Sequence, residues 1–479
     1  MIFNSVAFAV FFPIIVIIYF LMPSRYRNVW LLGSSYIYYM SQEPYYLILL
    51  LASTISTYFA AIGLDKFRGR KLSMRITAGI AIFFNLGLLV FFKYFGFLSE
   101  IFNSKSDFKL VLPVGISFYV FQVLGYTIDV YRDDIKAERN FFDYALFVSF
   151  FPQLLAGPIG RAGKLLVQFK EIHEFEYERI RHGLFRMLIG YFMKLVISNR
   201  LAIVTDLIYG NYSECSGYQM LLGTIAYAFQ IYCDFASYSA IAIGAAEVLG
   251  IKLGENFRQP FFAVSCQDLW KRWHVSLNAW FRDYLYFPLG GSRKGKIRKY
   301  INTLIIFAAS GLWHGAAWTY VIWGLLSGIF QVSGYILKPF REFIIGKIPF
   351  KGGFAAKSRK ILSSLFTFIL FLISLVFFKS TTIESAIEIE RKIFTEFDLS
   401  TVFSTSFFSL GLGSLNFMIL LISLFLLLAY DILNERTGDA AANILKLTKT
   451  KRWAIYYLLT LMIIGSANIG AAQFIYFDF

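Results

Sequence analysis

Two of the chain's four histidines lie in stretches whose residue types suit proton-transfer chemistry. His314 lies within residues 310–318, SGLWHGAAW, inside a long apolar run, and His274 lies within residues 270–284, WKRWHVSLNAWFRDY. An ionisable side chain is costly in such an apolar run, so His314 is a candidate functional residue by default. A neutral imidazole, whose pKa is ordinarily near 6.5, accepts a proton readily at neutral pH. The alternative is that a neighbouring helix only hydrogen-bonds His314.

The composition predicts that this apolar run belongs to a polytopic membrane protein. Hydrophobic residues make up 57% of the 479 residues and charged residues 16%, and the mean hydropathy is +0.60. Such a chain carries more apolar surface than a soluble core of this size can bury. Residues 5–22 lack a basic leader and a cleavage site, so they predict a retained span. The three cysteines give no disulfide framework and no metal-binding spacing, and we expect no metal site.

The net charge of +16 follows membrane topology rather than nucleic-acid binding. Basic residues cluster in short loops at 65–75, 291–300 and 339–360, whereas the charged residues of 379–408 are mostly acidic. Cytoplasmic loops of membrane proteins are enriched in lysine and arginine. The pattern therefore predicts that the basic loops are cytoplasmic and that both termini are extracytoplasmic.

The apolar segments between these loops predict an all-α fold with about ten transmembrane helices, plus re-entrant segments and interfacial amphipathic helices. The predicted spans are 5–22, 29–40, 45–64, 76–98, 111–130, 183–208, 217–250, 361–378, 409–430 and 453–472. Residues 141–156 and 301–338 do not cross under this topology. Since both flanks of 301–338 are basic, this segment is expected to enter the membrane and return, with His314 near its turn.

Residues 270–284 predict an amphipathic helix with one aromatic face. Apolar side chains and His274 recur at helical spacing, while Lys271 and Arg272 lie elsewhere on the helix. Such a helix is expected to lie along the cytoplasmic interface. Tryptophans at that level are often only anchors, so anchoring and a functional site stay open as alternatives.

Six short motifs follow one another in the first 340 residues. They are residues 112–122 (LPVGISFYVFQ), 151–161 (FPQLLAGPIGR), 230–235 (QIYCDF), 255–260 (ENFRQP), 270–291 (WKRWHVSLNAWFRDYLYFPLGG) and 310–318. Together they resemble the membrane-bound O-acyltransferase (MBOAT) family, in its bacterial alginate O-acetyltransferase branch. The resemblance implies one integral membrane acyltransferase domain over residues 1–479, with its core at about 110–340. Ala240 departs from the branch, which usually has an aspartate there, and the departure leaves the acceptor open.

The resemblance implies that His314 is the catalytic base, which takes a proton from an acceptor hydroxyl, and that His274 is the second active-site histidine. His274 or the indole N–H of Trp273 or Trp313 would orient the thioester carbonyl or stabilise its oxyanion. Asp234 is implied to belong to the same substrate site.

The resemblance also implies acetyl-coenzyme A as the donor substrate, with no permanently bound cofactor. Its phosphates need cations, and Arg282, Arg293 and Lys294 lie beside the histidine-bearing segment on the predicted cytoplasmic side. The alternative is that these cations only set the topology.

The last residues, 474–479, read FIYFDF. This ending resembles the acyl-transfer motif of related surface O-acetylation systems, and it implies that Tyr476 accepts the acyl group and passes it on. A phenol ionises more easily than a sugar hydroxyl and gives a more reactive ester. The alternative is an aromatic residue of the membrane interface.

The implied function is a bacterial cytoplasmic (inner) membrane O-acetyltransferase that moves acetyl groups from cytoplasmic acetyl-coenzyme A across the lipid bilayer. The acceptor would be a cell-envelope or exported polysaccharide such as alginate or peptidoglycan, reached through a secreted or membrane-tethered SGNH-type transferase. One alternative is D-alanyl or other acyl transfer to teichoic acid. Another is a secondary transporter without chemistry, although the sequence contains no second copy of the histidine motifs.

Overall fold

The computed structural model describes residues 1–102, 112–340, 343, 353–397, 400, 411–466 and 474–475, and within them the chain forms helices and no β-strand. The α-helices are α1 (Val6–Leu21), α2 (Ser24–Met40), α3 (Tyr46–Lys66), α4 (Lys71–Leu89), α5 (Phe95–Ile101), α6 (Ile116–Arg132), α7 (Phe141–Ser149), α8 (Phe151–Leu154), α9 (Ala162–Phe169), α10 (Tyr177–Tyr191), α11 (Asn199–Gly210), α12 (Gly217–Val248), α13 (Cys266–Arg272), α14 (Val275–Phe281), α15 (Lys296–His314), α16 (Trp318–Ile336), α17 (Gly353–Lys379), α18 (Ile383–Thr395), α19 (Gly413–Thr437), α20 (Ala440–Leu445) and α21 (Lys449–Ile464). Three π-helical turns, Val90–Tyr94, Phe192–Ser198 and Arg282–Tyr286, and the 3₁₀ turn Pro260–Phe262 lie between these α-helices.

Six helical segments of the described residues are long and apolar enough to cross a membrane. They are Tyr46–Lys66, Lys71–Ile101, Tyr177–Gly210, Trp318–Ile336, Ala356–Lys379 and Gly413–Thr437. The prediction of an all-α polytopic membrane protein is therefore confirmed.

The six segments are fewer than the ten spans expected from hydropathy. A helix needs about 20 residues to cross the hydrocarbon core. α1 has 16 residues and α2 and α6 have 17 each, so three of the ten expected spans are too short in the structure. α16 meets the criterion, although the sequence placed it in a segment that does not cross. The difference arises because helix ends and turns, which hydropathy does not locate, decide the length of each span.

Backbone contacts divide the chain into two compact units. The first comprises Met1–Tyr191 and Ser237–Glu255, and the second comprises Phe192–Ala236 and Asn256–Phe479. In the first unit α3, α4 and α6 pack against one another, and α7 packs on α2. Both histidines of interest lie in the second unit, where α15 packs against α16 and α16 packs against α17.

α15 and α16 form the helical hairpin that places His314. α15 ends at His314, residues 315–317 make the link, and α16 begins at Trp318. The two helices approach closely because glycine lies at their contacts. A Cβ at Gly311 would lie 2.2 Å from the carbonyl oxygen of Tyr320, and one at Gly324 would lie 2.2 Å from that of Phe307. Small residues allow such close backbone approach in membrane helices. The hairpin with His314 beside its turn agrees with the sequence prediction.

Gly324→Ala is expected to destabilise this hairpin and to lower the thermal midpoint of the purified protein. The added methyl group meets the backbone of Phe307 rather than a flexible side chain, so overpacking of about 1–3 kcal/mol is expected. Gly79→Ala on α4 is the matched control, because a Cβ there meets no atom within 4 Å. Equal midpoints for both variants in a thermal-shift measurement would contradict this account of the hairpin.

Candidate active site

The two histidines approach each other in the second unit although 40 residues separate them in the sequence. Their ring centroids are 6.4 Å apart, with the ring planes inclined at 70°. His274 is 2% exposed and His314 is 4% exposed, so both rings are buried. His314 is the last residue of α15, and His274 lies between α13 and α14. The structure thus brings together the two residues that the sequence singled out.

His274 occupies a break in the chain where the sequence predicted one continuous helix. Its backbone φ is +44°, in the left-handed region, and Trp273 before it is extended. The prediction of an unbroken amphipathic helix over 270–284 is therefore wrong. Left-handed backbone is unfavourable for a residue with a side chain, so it persists only where neighbours stabilise it.

Asn256 supplies that stabilisation. Its carbonyl oxygen accepts a hydrogen bond from the Val275 N–H at 2.9 Å. Its side-chain oxygen accepts from the hydroxyl of Ser276 at 2.9 Å and from the N–H of Ser276 at 3.2 Å. The same oxygen lies 3.2 Å from Nδ1 of His274. Asn256 therefore fixes both the backbone turn and the ring of His274.

Asn278 stabilises the break from its other side. Its side-chain amide donates to the carbonyl oxygen of Trp270 at 2.8 Å and to that of Trp273 at 2.6 Å. Carbonyl groups at a helix end have no partner within the helix, and Asn278 satisfies two of them. The side chains of two asparagines thus replace the helical hydrogen bonds that are missing at the break.

Aromatic rings enclose His314. The ring centroids of Trp313, Trp323 and Phe378 lie 5.0, 5.1 and 5.3 Å from that of the imidazole, and all three contacts are edge-on. Trp313 also lies 5.8 Å from His274, so its indole contacts both histidines. Such an enclosure excludes water, and electrostatic interactions inside it are stronger than in solvent.

Burial lowers the pKa of His274 to about 3. The imidazole is therefore neutral across the physiological range and is a weak proton acceptor there. A neutral histidine can still donate one hydrogen bond from its protonated ring nitrogen. His274 thus suits a role in orienting or polarising a substrate better than a role as a base.

The other aromatic residue predicted for the site, Trp273, lies beside His274 but contacts a different set of rings. Its indole packs against Phe257 and Phe371, each at 5.2 Å, and against Tyr232 at 6.5 Å. Among the described ring contacts, Trp313 and not Trp273 is the indole that meets both histidines.

The three cations predicted to bind the donor are at the surface. Arg282 is exposed and pairs with Asp283 at 2.9 Å, and the side chains of Arg293 and Lys294 are exposed before α15 begins.

A cavity of about 750 Å³ lies close to these cations in the sequence, at the open end of the α15–α16 hairpin. Lys296 and Lys299 of α15 and Lys338 after α16 line it. Burial and the charge of Lys338 lower the pKa of Lys299. Like charges held together in this way favour an anion between them.

Asp234 is fully buried and lies in a different cluster from the histidines. Its Oδ1 accepts from the ammonium of Lys194 at 2.6 Å and from the hydroxyl of Ser198 at 3.1 Å. Its Oδ2 accepts from the backbone N–H of Ile475 at 2.7 Å. Tyr476, the predicted acyl acceptor, lies outside the described residues.

Four residues of these clusters were missed in the sequence. Asn256 lies in the motif of residues 255–260, which carried a signal but no assigned role. Trp323 and Phe378 lie on helices whose apolar patterns do not distinguish a site wall from ordinary packing. Lys194 did carry a signal, because it is a cation inside an otherwise apolar span.

Residues 132–376 match the family model of the membrane-bound O-acyltransferase (MBOAT) family. The chain is 38% identical over 341 residues to a probable alginate O-acetylase AlgI of Pseudomonas putida, covering 69% of this chain and 70% of that protein. It is 34% identical over 427 residues to a peptidoglycan O-acetyltransferase of Helicobacter pylori, covering 81% and 79%. It is 30% identical over 255 residues to a teichoic acid D-alanyltransferase of Bacillus subtilis, covering 50% and 62%.

The resemblance inferred from the motifs is confirmed by this match, and so is the prediction of an enzyme. The matched residues include both histidines, Asn256 and the hairpin that carries His314. The relatives named for O-acetylation and the apolar helices of the fold agree with each other. The chain therefore belongs to the membrane-bound O-acyltransferase family and is a multi-pass membrane O-acyltransferase.

Proposed function

We propose that this protein transfers acetyl groups from cytoplasmic acetyl-coenzyme A to an acceptor that serves O-acetylation of a cell-envelope or exported polysaccharide. The observation that carries the proposal is the pair of buried histidines, whose ring centroids are 6.4 Å apart. One of them, His314, lies in an aromatic enclosure at the end of a helical hairpin. The relatives named alginate O-acetylase and peptidoglycan O-acetyltransferase support acetyl as the group and a polysaccharide as the destination.

His314 is the proposed general base. It takes the proton of the acceptor hydroxyl while that oxygen forms a bond to the carbonyl carbon of the thioester. The carbon–sulfur bond then breaks, the thiolate of coenzyme A leaves, and the imidazolium returns its proton to this sulfur. His274 stays neutral throughout and orients the carbonyl group. The products are an acetyl ester of the acceptor and free coenzyme A.

Donor binding is proposed at the cytoplasmic end of the hairpin. The phosphates of acetyl-coenzyme A would bind in the cavity lined by Lys296, Lys299 and Lys338. The exposed Arg282, Arg293 and Lys294, which precede these lysines in the sequence, would add positive charge for the donor. α15 has 19 residues, so the cavity and His314 are about 27 Å apart along the helix. The long pantetheine arm would follow the hairpin and bring the thioester to its closed end.

The acceptor is proposed to be Tyr476 in the first step. Its acetyl ester would be taken up by a secreted or membrane-tethered SGNH-type transferase, which then acetylates the polysaccharide. This order requires both termini on the extracytoplasmic side of a bacterial cytoplasmic membrane, as the basic loops indicate. A phenyl ester is reactive enough to pass its acyl group to a sugar hydroxyl.

D-alanyl transfer to teichoic acid is the second candidate. The relative from Bacillus subtilis that is named for that reaction supports it. The match is weaker than those to the O-acetylation relatives, with 30% identity across 50% of this chain. The two candidates differ in the donor, because the second would use a D-alanyl thioester in place of acetyl-coenzyme A.

Purified protein and acetyl-labelled acetyl-coenzyme A test the proposal directly. We expect release of coenzyme A and transfer of the label to the protein or to an added acceptor. A D-alanyl thioester offered in parallel is expected to react more slowly. Absence of both thioester cleavage and labelling in the wild-type protein would contradict acetyl transfer, and faster reaction of the D-alanyl donor would favour the second candidate.

Trp323→Phe is expected to reduce turnover with little change in the KM for acetyl-coenzyme A. The indole N–H of Trp323 is buried against His314 and has no hydrogen-bond partner within the described part of the chain. It is thus available to the oxygen that becomes negative during transfer, and removing one such donor typically costs about 10²–10³ in kcat. Trp453→Phe on α21 is the control, since Trp453 is exposed. Unchanged kcat in Trp323→Phe would assign this indole to packing alone.

A further inference from the structure

A buried ion pair in the second unit is not used by the chemistry at the histidines. The ammonium of Lys194 lies 2.6 Å from Oδ1 of Asp234, and the two side chains are 1% and 0% exposed. Lys194 belongs to the π-helical turn Phe192–Ser198, and Asp234 belongs to α12. Both charges are therefore withdrawn from water and from lipid.

The position of this pair points to a function. Lys194 lies inside Tyr177–Gly210, one of the segments long and apolar enough to cross a membrane. Ionisable residues in such segments are rare and usually serve a site, and π-helical turns occur often at functional positions. A buried ion pair adds little stability over well-packed apolar residues, so stability alone gives no reason for it.

The pair binds the C-terminal segment of the chain. Oδ2 of Asp234 accepts the hydrogen bond of the Ile475 N–H at 2.7 Å. The ammonium of Lys194 lies 4.5 Å from the ring centre of Phe474, which is 1% exposed. One contact holds the backbone and the other holds a neighbouring side chain through a cation–π interaction. Lys194, Asp234, Phe474 and Ile475 are called the terminal seat below.

We propose that the terminal seat positions the C-terminal segment for acyl transfer, with Lys194 and Asp234 as positioning residues. The inference rests on the proposed function, because Tyr476, the proposed acceptor, directly follows Ile475 in the sequence. The hydrogen bond from the Ile475 N–H to Asp234 fixes the backbone one residue before Tyr476.

α12 connects the terminal seat with the enclosure of His314. Tyr227 and Asp234 are seven residues, two helical turns, apart on α12, so they share one face about 10 Å apart. The ring centre of Tyr227 lies 5.4 Å from the ammonium of Lys379. Lys379 directly follows Phe378, whose ring packs on His314. Within the second unit, the terminal seat and the histidine enclosure are thus joined through α12, the contact of Tyr227 with Lys379, and Phe378.

Ile475→Pro tests the backbone contact, because proline lacks the N–H that Asp234 accepts and leaves the ion pair unchanged. The readout is the ratio of acetyl on Tyr476, from peptide mass spectrometry, to coenzyme A released. We expect this ratio to fall about 100-fold, since misplacement of a reacting group by about 1 Å can cost that much. Ile475→Ala, which keeps the N–H, is the comparison. Equal losses in the two variants would overturn the role of the backbone hydrogen bond.

A double variant, Lys194→Met with Asp234→Leu, tests the contribution of the ion pair to the terminal seat. Replacing both charges with apolar residues avoids the uncompensated charge that a single substitution would bury. The same fall in the ratio is expected, and thermal midpoints verify folding. The control is Tyr232→Phe with Asp431→Leu, which removes the other buried carboxylate contact of α12, where the Tyr232 hydroxyl donates to Asp431 at 3.0 Å. If the double variant does not fold, the comparison of Ile475→Pro with Ile475→Ala tests the terminal seat on its own.

The outcomes separate this inference from the proposed function. A wild-type protein that cleaves no acetyl-coenzyme A contradicts the proposed function and the inference with it. A wild-type protein that acetylates Tyr476, with seat variants that acetylate it equally well, overturns the terminal seat and leaves the proposed function intact.

Discussion

His314→Ala is expected to abolish measurable transfer from acetyl-coenzyme A, with turnover reduced by about 10²–10⁴ or more. The imidazole is the proposed proton acceptor, and the pKa of the neighbouring His274, lowered to about 3 by burial, makes that ring a poor substitute. The rings that pack on His314 offer no other group that accepts a proton at neutral pH. Release of coenzyme A by the purified variant is the measurement.

A control at another histidine separates loss of chemistry from loss of folding. His173 belongs to the first unit, where its Nε2 lies 2.8 Å from the carbonyl oxygen of Gln168. His173→Ala is expected to retain turnover, and both variants are expected to show similar thermal midpoints because neither leaves a buried charge unpaired. Normal turnover in His314→Ala would refute the catalytic assignment, whatever the family membership of the chain.

The convergence of the two histidines was expected from the family resemblance of their motifs, which implied that both belong to one active site. His314 was marked by its depth in an apolar run between two basic loops, and that pattern also predicted the hairpin. The membrane class followed from composition, and the all-α fold followed from the apolar segments between the basic loops. These inferences succeed because hydrophobic burial and charge asymmetry are properties of local sequence.

The backbone at His274 could not be predicted in the same way. Helical spacing of aromatic residues over 270–284 favours one helix, and no local residue type forbids it. The break depends on Asn256, 18 residues before His274, whose oxygen atoms accept hydrogen bonds from Val275 and Ser276. Tertiary hydrogen bonds override helical periodicity there, and periodicity carries no information about them.

The terminal seat could be predicted from the sequence only in part. Lys194 and Asp234 are 40 residues apart on different helices, and each is a single charge in an apolar stretch. The sequence marks both as costly, yet it does not pair them with each other or with the backbone of Ile475. Pairing depends on helix packing, which hydropathy does not specify, whereas the cost of a buried charge follows from residue type.

Tyr476→Phe is expected to remove acetyl from the C-terminal peptide and to abolish O-acetylation of the polysaccharide in cells. The substitution removes one oxygen atom and keeps the ring, so the contacts of Phe474 and Ile475 with Lys194 and Asp234 are expected to persist. Coenzyme A release by the purified variant can continue through transfer to water, because His314 and its enclosure are unchanged. Chemically released acetate from isolated polysaccharide is the cellular measurement.

Tyr457→Phe is the matched control, since Tyr457 is an exposed tyrosine on α21 in the same part of the chain. It is expected to leave polysaccharide acetylation at the wild-type level. Full acetylation in cells that carry Tyr476→Phe would exclude the tyrosine relay and would require direct transfer from the thioester to another acceptor. The assignment of His314 would survive that result, because a general base is needed for any hydroxyl acceptor. The two substitutions therefore separate the base from the relay.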